Sequence, residues 1–380
     1  MNQELIDFVQ RAVRTRSYSD EEENMAKLVK SEMEKLGYDE VWIDSTGNVI
    51  GRIGGGEKII HFDSHMDTVQ VQDEELWTQP PFEGEIADGY LWGRGSVDMK
   101  SGLCASIYGA SEAKKKGYLE GKTVYVTGTV CEEYCDGENL KHLYKELSLK
   151  PDFCVICEPS GNVITLGHKG KAQIRIRTHG VSAHGSAPEK GKNAVYEMAE
   201  IIQRIEALNK RLYKEDKMHG TIVLSDISCV SASLNAVPSE CSVYLDRRLA
   251  LGETLEQVRE EMDEIVKGKA ADWEVGTLYH TTWTGKKLVY EPMHDPWDIK
   301  KDQPLTQALI QAYRQVYNKE PESFDFWDFG TNAITPVAMG IPTIGFGPGE
   351  YKLAHMRDER CKIKQIEEAA QIYLQLIKEL

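Results

Sequence analysis

Three apolar segments, each ending in polar side chains, most constrain the fold of this 380-residue chain. They read KIIHFDSHMD at 58–67, TVYVTGTVCEE at 123–133 and FCVICEP at 153–159. Helix-forming segments separate them, and strands that alternate with helices form a mostly parallel sheet. The carboxyl ends of such strands meet at one edge of the sheet, where ligands bind. The pattern therefore predicts an α/β domain with a doubly wound sheet and a site at its strand ends.

The middle of the chain has a different pattern. KAQIRIRTHG at 171–180 alternates like a half-exposed antiparallel strand. Helices are predicted over Ala194–Leu212 and Thr254–Val266, with two strands between them and a last strand DWEVGTLYH after them. This order predicts a small α+β domain. We therefore expect an α/β domain formed by residues 1–170 and 292–380, with residues 171–291 inserted into it.

Composition excludes some classes of partner. Lys and Arg number 45 against 61 Asp and Glu, a formal net charge of -16, whereas phosphate binding needs a basic face. No apolar run approaches the roughly 20 residues of a membrane helix. MNQELIDFVQRAV lacks the features of a secretory signal, so the eight cysteines, CVIC included, are expected as free thiols. We expect a cytoplasmic protein that binds neither nucleic acid nor membrane.

Histidines and carboxylates recur where the predicted strands end, or in Gly-rich turns. Nitrogen and oxygen donors without thiolate suit a catalytic site for zinc, cobalt or manganese. Two divalent cations would supply the positive charge that the adjacent Glu132 and Glu133 lack in the sequence. The candidate residues are His65, Asp67, Asp98, Glu132, Glu133, Glu158 and His355.

These residues lie in motifs that together resemble a known family over nearly the whole chain. It is the aminoacylase / acetylornithine deacetylase / succinyl-diaminopimelate desuccinylase family of dinuclear zinc hydrolases. Its bacterial branch labelled selenium-metabolism-linked hydrolases is most similar, through EEYCDG, HGSAPEKGKNA and DRRL. The resemblance implies that the inserted domain is a lid that also forms a homodimer. The motifs are SHMDTV, WGRGSVDMKSG, TGTVCEEYCDGEN, CEPS, GVSAHGSAPEKGKNA and GFGPGEYKLAHMRDE.

The resemblance implies two metal sites that share one ligand. His65 and Glu158 would bind the first ion, Glu133 and His355 the second, and Asp98 would bridge both.

Two further acids receive roles from the same resemblance. Asp67 would orient the imidazole of the histidine ligand. Glu132 would act as general base on a metal-bridging water and return the proton to the leaving amine.

The inserted domain carries three residues that the resemblance places at the substrate. His184 in SAHGSAP would stabilise the oxyanion, and Asn235 and Arg248 would hold a substrate carboxylate. Arg247 is the alternative to Arg248, because adjacent strand residues face opposite ways. Since the metal ligands all lie in the other domain, His184 reaches them by lid closure or from a second subunit. We expect the second route.

The resulting hypothesis is a dinuclear metallohydrolase that cleaves a linear amide bond in an N-acyl or N-carbamoyl amino acid or a small peptide. The alternatives are a dipeptidase or carboxypeptidase, or a metal-free binding or regulatory relative. Two departures from the family pattern matter. Asn332 stands where many relatives carry an acid, which weakens an inference of basic-group recognition. HMRDE replaces the usual HxxNE but keeps His355 and Glu359.

Overall fold

The structure is a computed structural model that describes residues 2–215 and 218–380. Up to residue 168 its elements are α1 (Asn2–Arg14), α2 (Glu23–Lys35), β1 (Glu40–Ile43), β2 (Val49–Gly54), β3 (Lys58–His65), β4 (Ile86–Ala87), β5 (Tyr90–Trp92), α3 (Lys100–Lys115), β6 (Lys122–Thr129), α4 (Glu132–Cys135), α5 (Glu138–Leu147), β7 (Phe153–Ile156) and β8 (Ile164–His168).

The remaining elements fall in two groups. Residues 170–275 form β9 (Gly170–His179), α6 (Ala194–Leu212), β10 (Thr221–Val230), β11 (Glu240–Leu249), α7 (Leu255–Val266) and β12 (Ala271–Val275). Residues 278–379 form β13 (Leu278–Thr281), β14 (Lys287–Tyr290), β15 (Met293–His294), β16 (Trp297–Asp298), α8 (Pro304–Tyr317), β17 (Phe324–Trp327), α9 (Ile334–Ala338), β18 (Thr343–Gly345), β19 (Arg360–Lys362) and α10 (Ile363–Glu379).

The main sheet runs in the order β1-β2-β6-β3-β7-β18-β8-β16, with β17 paired to β8. Its centre, β6-β3-β7-β18, is parallel, whereas β1, β2 and β16 add antiparallel pairs at the flanks. Residues 60–65 of β3 are buried, because α3 packs against the strand and α10 packs on α3. The predicted α/β class with a mostly parallel sheet is confirmed.

A second sheet, in the order β10-β11-β9-β12, has its own hydrophobic core. Helix α6 has the predicted bounds, and α7 begins one residue later than predicted because Thr254 caps it. The predicted strand DWEVGTLYH is wrong in extent. Its pairing with β9 ends at Val275, and the chain continues past Gly276 into the β13–β14 hairpin.

That hairpin packs with the main sheet, since Leu288 and Tyr290 belong to the first hydrophobic core. The domain limits 1–170, 171–291 and 292–380 stay a prediction. The eight cysteines are free thiols, and all but Cys229 are buried. Within the described residues, no helix combines the length and apolar character needed to cross a membrane.

Gly102 of α3 lies where the helix meets the chain just after β7. A Cβ atom there would lie 2.1 Å from the carbonyl oxygen of Cys157, the residue before Glu158. We expect Gly102→Ala to lower the free energy of unfolding by about 1–3 kcal/mol, because overpacking outweighs alanine's better helix propensity. Urea titration measures this. The control is Gly55→Ala, whose Cβ meets open space; equal stability of both variants would contradict the prediction.

Candidate metal centre

The predicted site lies at the carboxyl ends of three neighbouring strands. His65 is the last residue of β3, Glu132 follows β6 by three residues, and Glu158 follows β7 by two. Because β6 and β7 both pair with β3 in parallel, these strand ends lie side by side. Strand pairing therefore brings together residues that are up to 93 positions apart in the chain.

The first candidate ion site is formed by His65, Asp98 and Glu158, whose donor atoms all lie within 4.8 Å of one another. Nε2 of His65 lies 3.0 Å from Oδ1 of Asp98 and 3.6 Å from Oε1 of Glu158. Its Nδ1 lies 2.9 Å from the main-chain oxygen of Asp67 and 3.5 Å from the Asp67 carboxylate. A hydrogen on Nδ1 thus leaves the Nε2 lone pair for a cation.

The second candidate ion site is formed by Asp98, Glu133 and His355. Nε2 of His355 lies 3.2 Å from Oδ2 of Asp98 and 3.0 Å from Oε2 of Glu133. One oxygen of Asp98 therefore faces each site, which is the arrangement a bridging carboxylate needs. In the described part of the chain, the five proposed ligands form two sets that share Asp98.

Burying this group of ionised acids costs free energy when no cation is bound. Burial raises the pKa of Glu132 and Glu158 well above the ordinary value, and it also raises that of Glu133. Hydrogen bonds to Asp98 and Glu133 raise the pKa of His355 to about 10. Bound protons therefore offset the negative charge of these acids, and divalent cations would displace the protons. The donor set of imidazole and carboxylate fits two such ions.

Histidine also acts on the shared acid. Burial alone would raise the pKa of Asp98, but hydrogen bonds from His355 and His65 outweigh it and lower that pKa below its ordinary value. Burial lowers the pKa of His65, but hydrogen bonds to Asp67 and Asp98 outweigh it and raise that pKa well above its ordinary value. Asp98 is therefore the member of the group that keeps its charge.

Glu132 differs from the proposed ligands. It belongs to neither set of donor atoms, its residue is 6% exposed, and its Oε1 has no hydrogen-bond partner among the described residues. A buried carboxylate oxygen without a partner is rare. Glu132 also lines the cavity beside the two candidate ion sites.

Asp67 has a second task that the sequence did not reveal. Its Oδ1 accepts the amide of Glu132 at 3.1 Å, and its Oδ2 accepts the amide of Glu133 at 3.2 Å. Oδ2 also accepts the Ser19 hydroxyl at 2.7 Å. One carboxylate therefore holds the short helix α4 as well as facing His65.

The turn that carries Asp98 is held by Glu359. Its Oε1 accepts the amides of Val97 and Asp98 at 2.8 and 3.1 Å, and its Oε2 pairs with Arg94 at 2.5 Å. Glu359 and Arg94 are buried. The motif WGRGSVD does not indicate that Arg94 pairs with Glu359, because the two residues are 265 positions apart in the chain.

A cavity of about 330 Å³ adjoins the candidate ligands, and Lys171, Arg248 and Asp328 are among its other lining residues. Arg248 pairs with Asp246 through Nε at 2.7 Å and remains partly exposed. Arg247 points away, is fully buried and pairs with acids of its own domain, Glu253 and Glu261. Of the two arginines, Arg248 alone lines the cavity.

His184 and Asn235 lie together elsewhere. Both are exposed, and the loops that carry them are joined by a bond from the Gly185 amide to the Asn235 carbonyl at 2.6 Å. Neither lines the cavity beside the metal ligands. Within this one chain they are not brought to the candidate metal centre, so their predicted roles stay predictions.

Asn332 is buried rather than exposed to substrate. Its Nδ2 donates to Asp63 at 2.8 Å and to Thr129 at 3.0 Å, and its Oδ1 accepts the Gly137 amide at 2.7 Å. The residue thus joins β3 to the segment after α4. It does not reach the cavity, so it offers no group for substrate recognition.

The chain is similar to known proteins over nearly its whole length. Over residues 61–379 the chain matches the family described as Peptidase family M20/M25/M40. Uncharacterized protein YgeY of Escherichia coli (strain K12) is 36% identical over 371 residues, covering 96% of this chain and 92% of that protein. Succinyl-diaminopimelate desuccinylase of Cereibacter sphaeroides (strain ATCC 17023) is 26% identical over 379 residues, covering 97% and 96%.

A solved structure has the same fold. Aminopeptidase PepT from Bacillus cereus ATCC 10987 aligns with a TM-score of 0.76 at 22% identity, covering 100% of this chain and 98% of that one. The resemblance drawn from the motifs is confirmed. The similarity to the selenium-linked branch stays a prediction.

We expect Asp98→Ala to lose both metal ions, whereas Glu158→Ala and His355→Ala each chiefly weaken one. The reason is geometric, since Asp98 belongs to both ion sites and the other two residues to one each. Metal content by mass spectrometry and titration with Zn²⁺ measure the outcome. Equal loss of both ions in all three variants would contradict the shared-ligand arrangement.

Proposed function

The chain belongs to peptidase family M20/M25/M40 and is a metallohydrolase of C–N amide bonds; within that class, we propose that it cleaves a linear amide bond in an N-acyl or N-carbamoyl amino acid or a small peptide. One observation carries the proposal. Two candidate ion sites share Asp98 beside the buried Glu132, whose Oε1 has no partner in the described chain, and a cavity of about 330 Å³ adjoins them.

If two divalent ions bind, zinc by preference and cobalt or manganese as alternatives, they would supply Lewis acidity and lower the pKa of water toward about 7. Glu132 takes a proton from the attacking water and delivers it to the leaving amine. Asp67 holds the main chain of Glu132 in place. The residues that would hold the ions are His65, Asp98, Glu133, Glu158 and His355.

Arg248 is the proposed binder of a substrate carboxylate. Its guanidinium is planar and can bind two oxygens at once, and it lines the cavity. The cross-strand neighbour of Arg248 is Lys171, which pairs with Asp136 at 2.7 Å. Both cations line the cavity and each already pairs with an acid, so a substrate carboxylate would share Arg248 with Asp246. Asn235 would complete the carboxylate site from the second subunit.

Dimer formation through the second sheet is part of the proposal. Strand β10 is an edge strand and exposes Val223, Ile227 and Val230, each more than half exposed, next to the fully exposed Leu234. An edge strand with unpaired main-chain groups and apolar side chains is a natural interface. A homodimer formed there would let the partner's His184 act on the oxyanion.

A dipeptidase is the second candidate. Asp328 lines the cavity and has no ion-pair partner in the part of the chain that the structure describes. A carboxylate there would attract the free amino group that a dipeptide carries and an N-acetyl amino acid lacks.

Acetyl-leucine, carbamoyl-leucine and glycyl-leucine share one amine and differ at the acyl side, so they test the proposal directly. We expect the Zn, Co or Mn enzyme to release leucine from at least one of them. Glu132→Gln should lower kcat by about 10²–10⁴ with its metals retained. Preference for glycyl-leucine would favour the dipeptidase. No release from any of these or from matched substrates with other side chains would contradict the proposed function.

His184 acting between subunits is tested by mixing two inactive variants. Glu132→Gln subunits are combined with His184→Ala subunits under exchange conditions. We expect activity to reappear, because a mixed dimer contains one site with an intact Glu132 from one chain and an intact His184 from the other. Losing one oxyanion donor costs about 10²–10³ in kcat, so the gain is easily measured. Mixed dimers verified by mass that stay inactive would contradict the arrangement.

A further inference from the structure

Three consecutive main-chain amides at the general base and its neighbours each donate to a buried carboxylate. The amides of Glu132 and Glu133 donate to Asp67, as described above. The amide of Cys131 donates to Oε1 of Glu22 at 2.9 Å. Glu22 is 0% exposed and belongs to the segment between α1 and α2, 109 residues away from Cys131 in the chain.

Cys131 is the residue that turns the chain from β6 into α4. Its φ is +56°, a left-handed conformation that is unfavourable for a residue with a Cβ atom. The residue is fully buried, so without Glu22 its amide would lack a partner. Such an amide is costly to leave unpaired. Because α4 is a single short turn over Glu132–Cys135, it has few internal bonds to hold this geometry.

The segment that carries Glu22 also contacts the end of β3. The Ser17 hydroxyl donates to the Met66 carbonyl at 2.7 Å, and the Ser19 hydroxyl donates to Asp67. Residues 17–22 thus contact the chain after β3 and, through Glu22, the chain after β6. These are the two strand ends that position the first histidine ligand and the general base.

Glu22 is suited to accept a hydrogen bond without carrying charge. Its burial, and then the nearby Asp67, raise the pKa of Glu22 to about 8. Glutamine has nearly the same shape as a neutral glutamic acid and keeps an oxygen that can accept the Cys131 amide.

We propose that Glu22 is a positioning residue that sets the orientation of Glu132 and Glu133 through the main chain of Cys131. This inference rests on the proposed function, because it assigns Glu22 a task only if Glu132 acts as the general base. Glu22 does not touch the cavity or the candidate ion sites. Its effect on the reaction passes entirely through the turn.

The test uses the full-length enzyme with saturating zinc and the best substrate of the leucine series. Glu22→Ala removes the acceptor, and we expect kcat to fall about 10–100-fold with KM little changed, the scale of a small misplacement of a catalytic group. Glu22→Gln should keep kcat within about threefold of the wild-type value, since it still accepts the amide. Glu21→Ala is the matched control, because this neighbouring side chain is exposed and forms an ion pair with Arg16 rather than with the turn at Cys131.

Glu22→Asp guards against a Glu22→Ala protein that does not fold. The variant keeps a carboxyl group, but its side chain is one methylene shorter and the group lies farther from the Cys131 amide. We therefore expect kcat to fall while circular dichroism and zinc content match the wild type. A folded, zinc-loaded Glu22→Ala or Glu22→Asp enzyme with wild-type kcat would overturn the role of Glu22. The role of Glu22 would also be overturned if Glu22→Gln lowered kcat as far as Glu22→Ala does. An inactive wild-type enzyme would overturn the proposed function and this inference with it.

Discussion

The concentration of acids at the ends of parallel strands is the constraint on which the rest of the structure depends. Asp98, Glu133 and Glu158 are brought together with two histidines, and Asp98 offers one oxygen to each of two ion sites. Carboxylates in such surroundings repel one another and lose hydration, which the raised pKa of Glu133 and Glu158 records. Bound cations remove this cost, so metal binding and the stability of this edge of the sheet are linked.

Three further acids support the candidate metal centre, and they do so by accepting hydrogen bonds from main-chain amides. Asp67 holds α4, Glu359 holds the turn of Asp98, and Glu22 holds Cys131. Each accepts main-chain amides of residues at or next to the proposed site, so the site is oriented through the backbone that carries it. This arrangement lets the ligand side chains face one point although they come from separate loops.

The two sheets contribute different residues to the proposed site. His65, Glu132 and Glu158 lie at or just after strands of the main sheet, while the second sheet places Arg248 and Lys171 at the wall of the cavity. His184 lies on an exposed loop after β9, and Asn235 lies on an exposed loop after β10. One chain therefore contains the candidate metal centre and part of the proposed substrate site, which is why the apolar edge strand β10 matters for the proposed homodimer.

The sequence by itself determined the α/β class and the candidate ligands, because apolar strands, turns and the residues that follow them are local properties of the chain. His65, Asp98 and Glu133 could be named since each follows such a strand or lies in a recognisable motif. Only the tertiary structure decided which of two adjacent arginines lines the cavity, and which acids hold the turns. Those answers depend on strand pairing and on contacts such as Glu22 with Cys131, between residues far apart in the chain, and no local pattern encodes them.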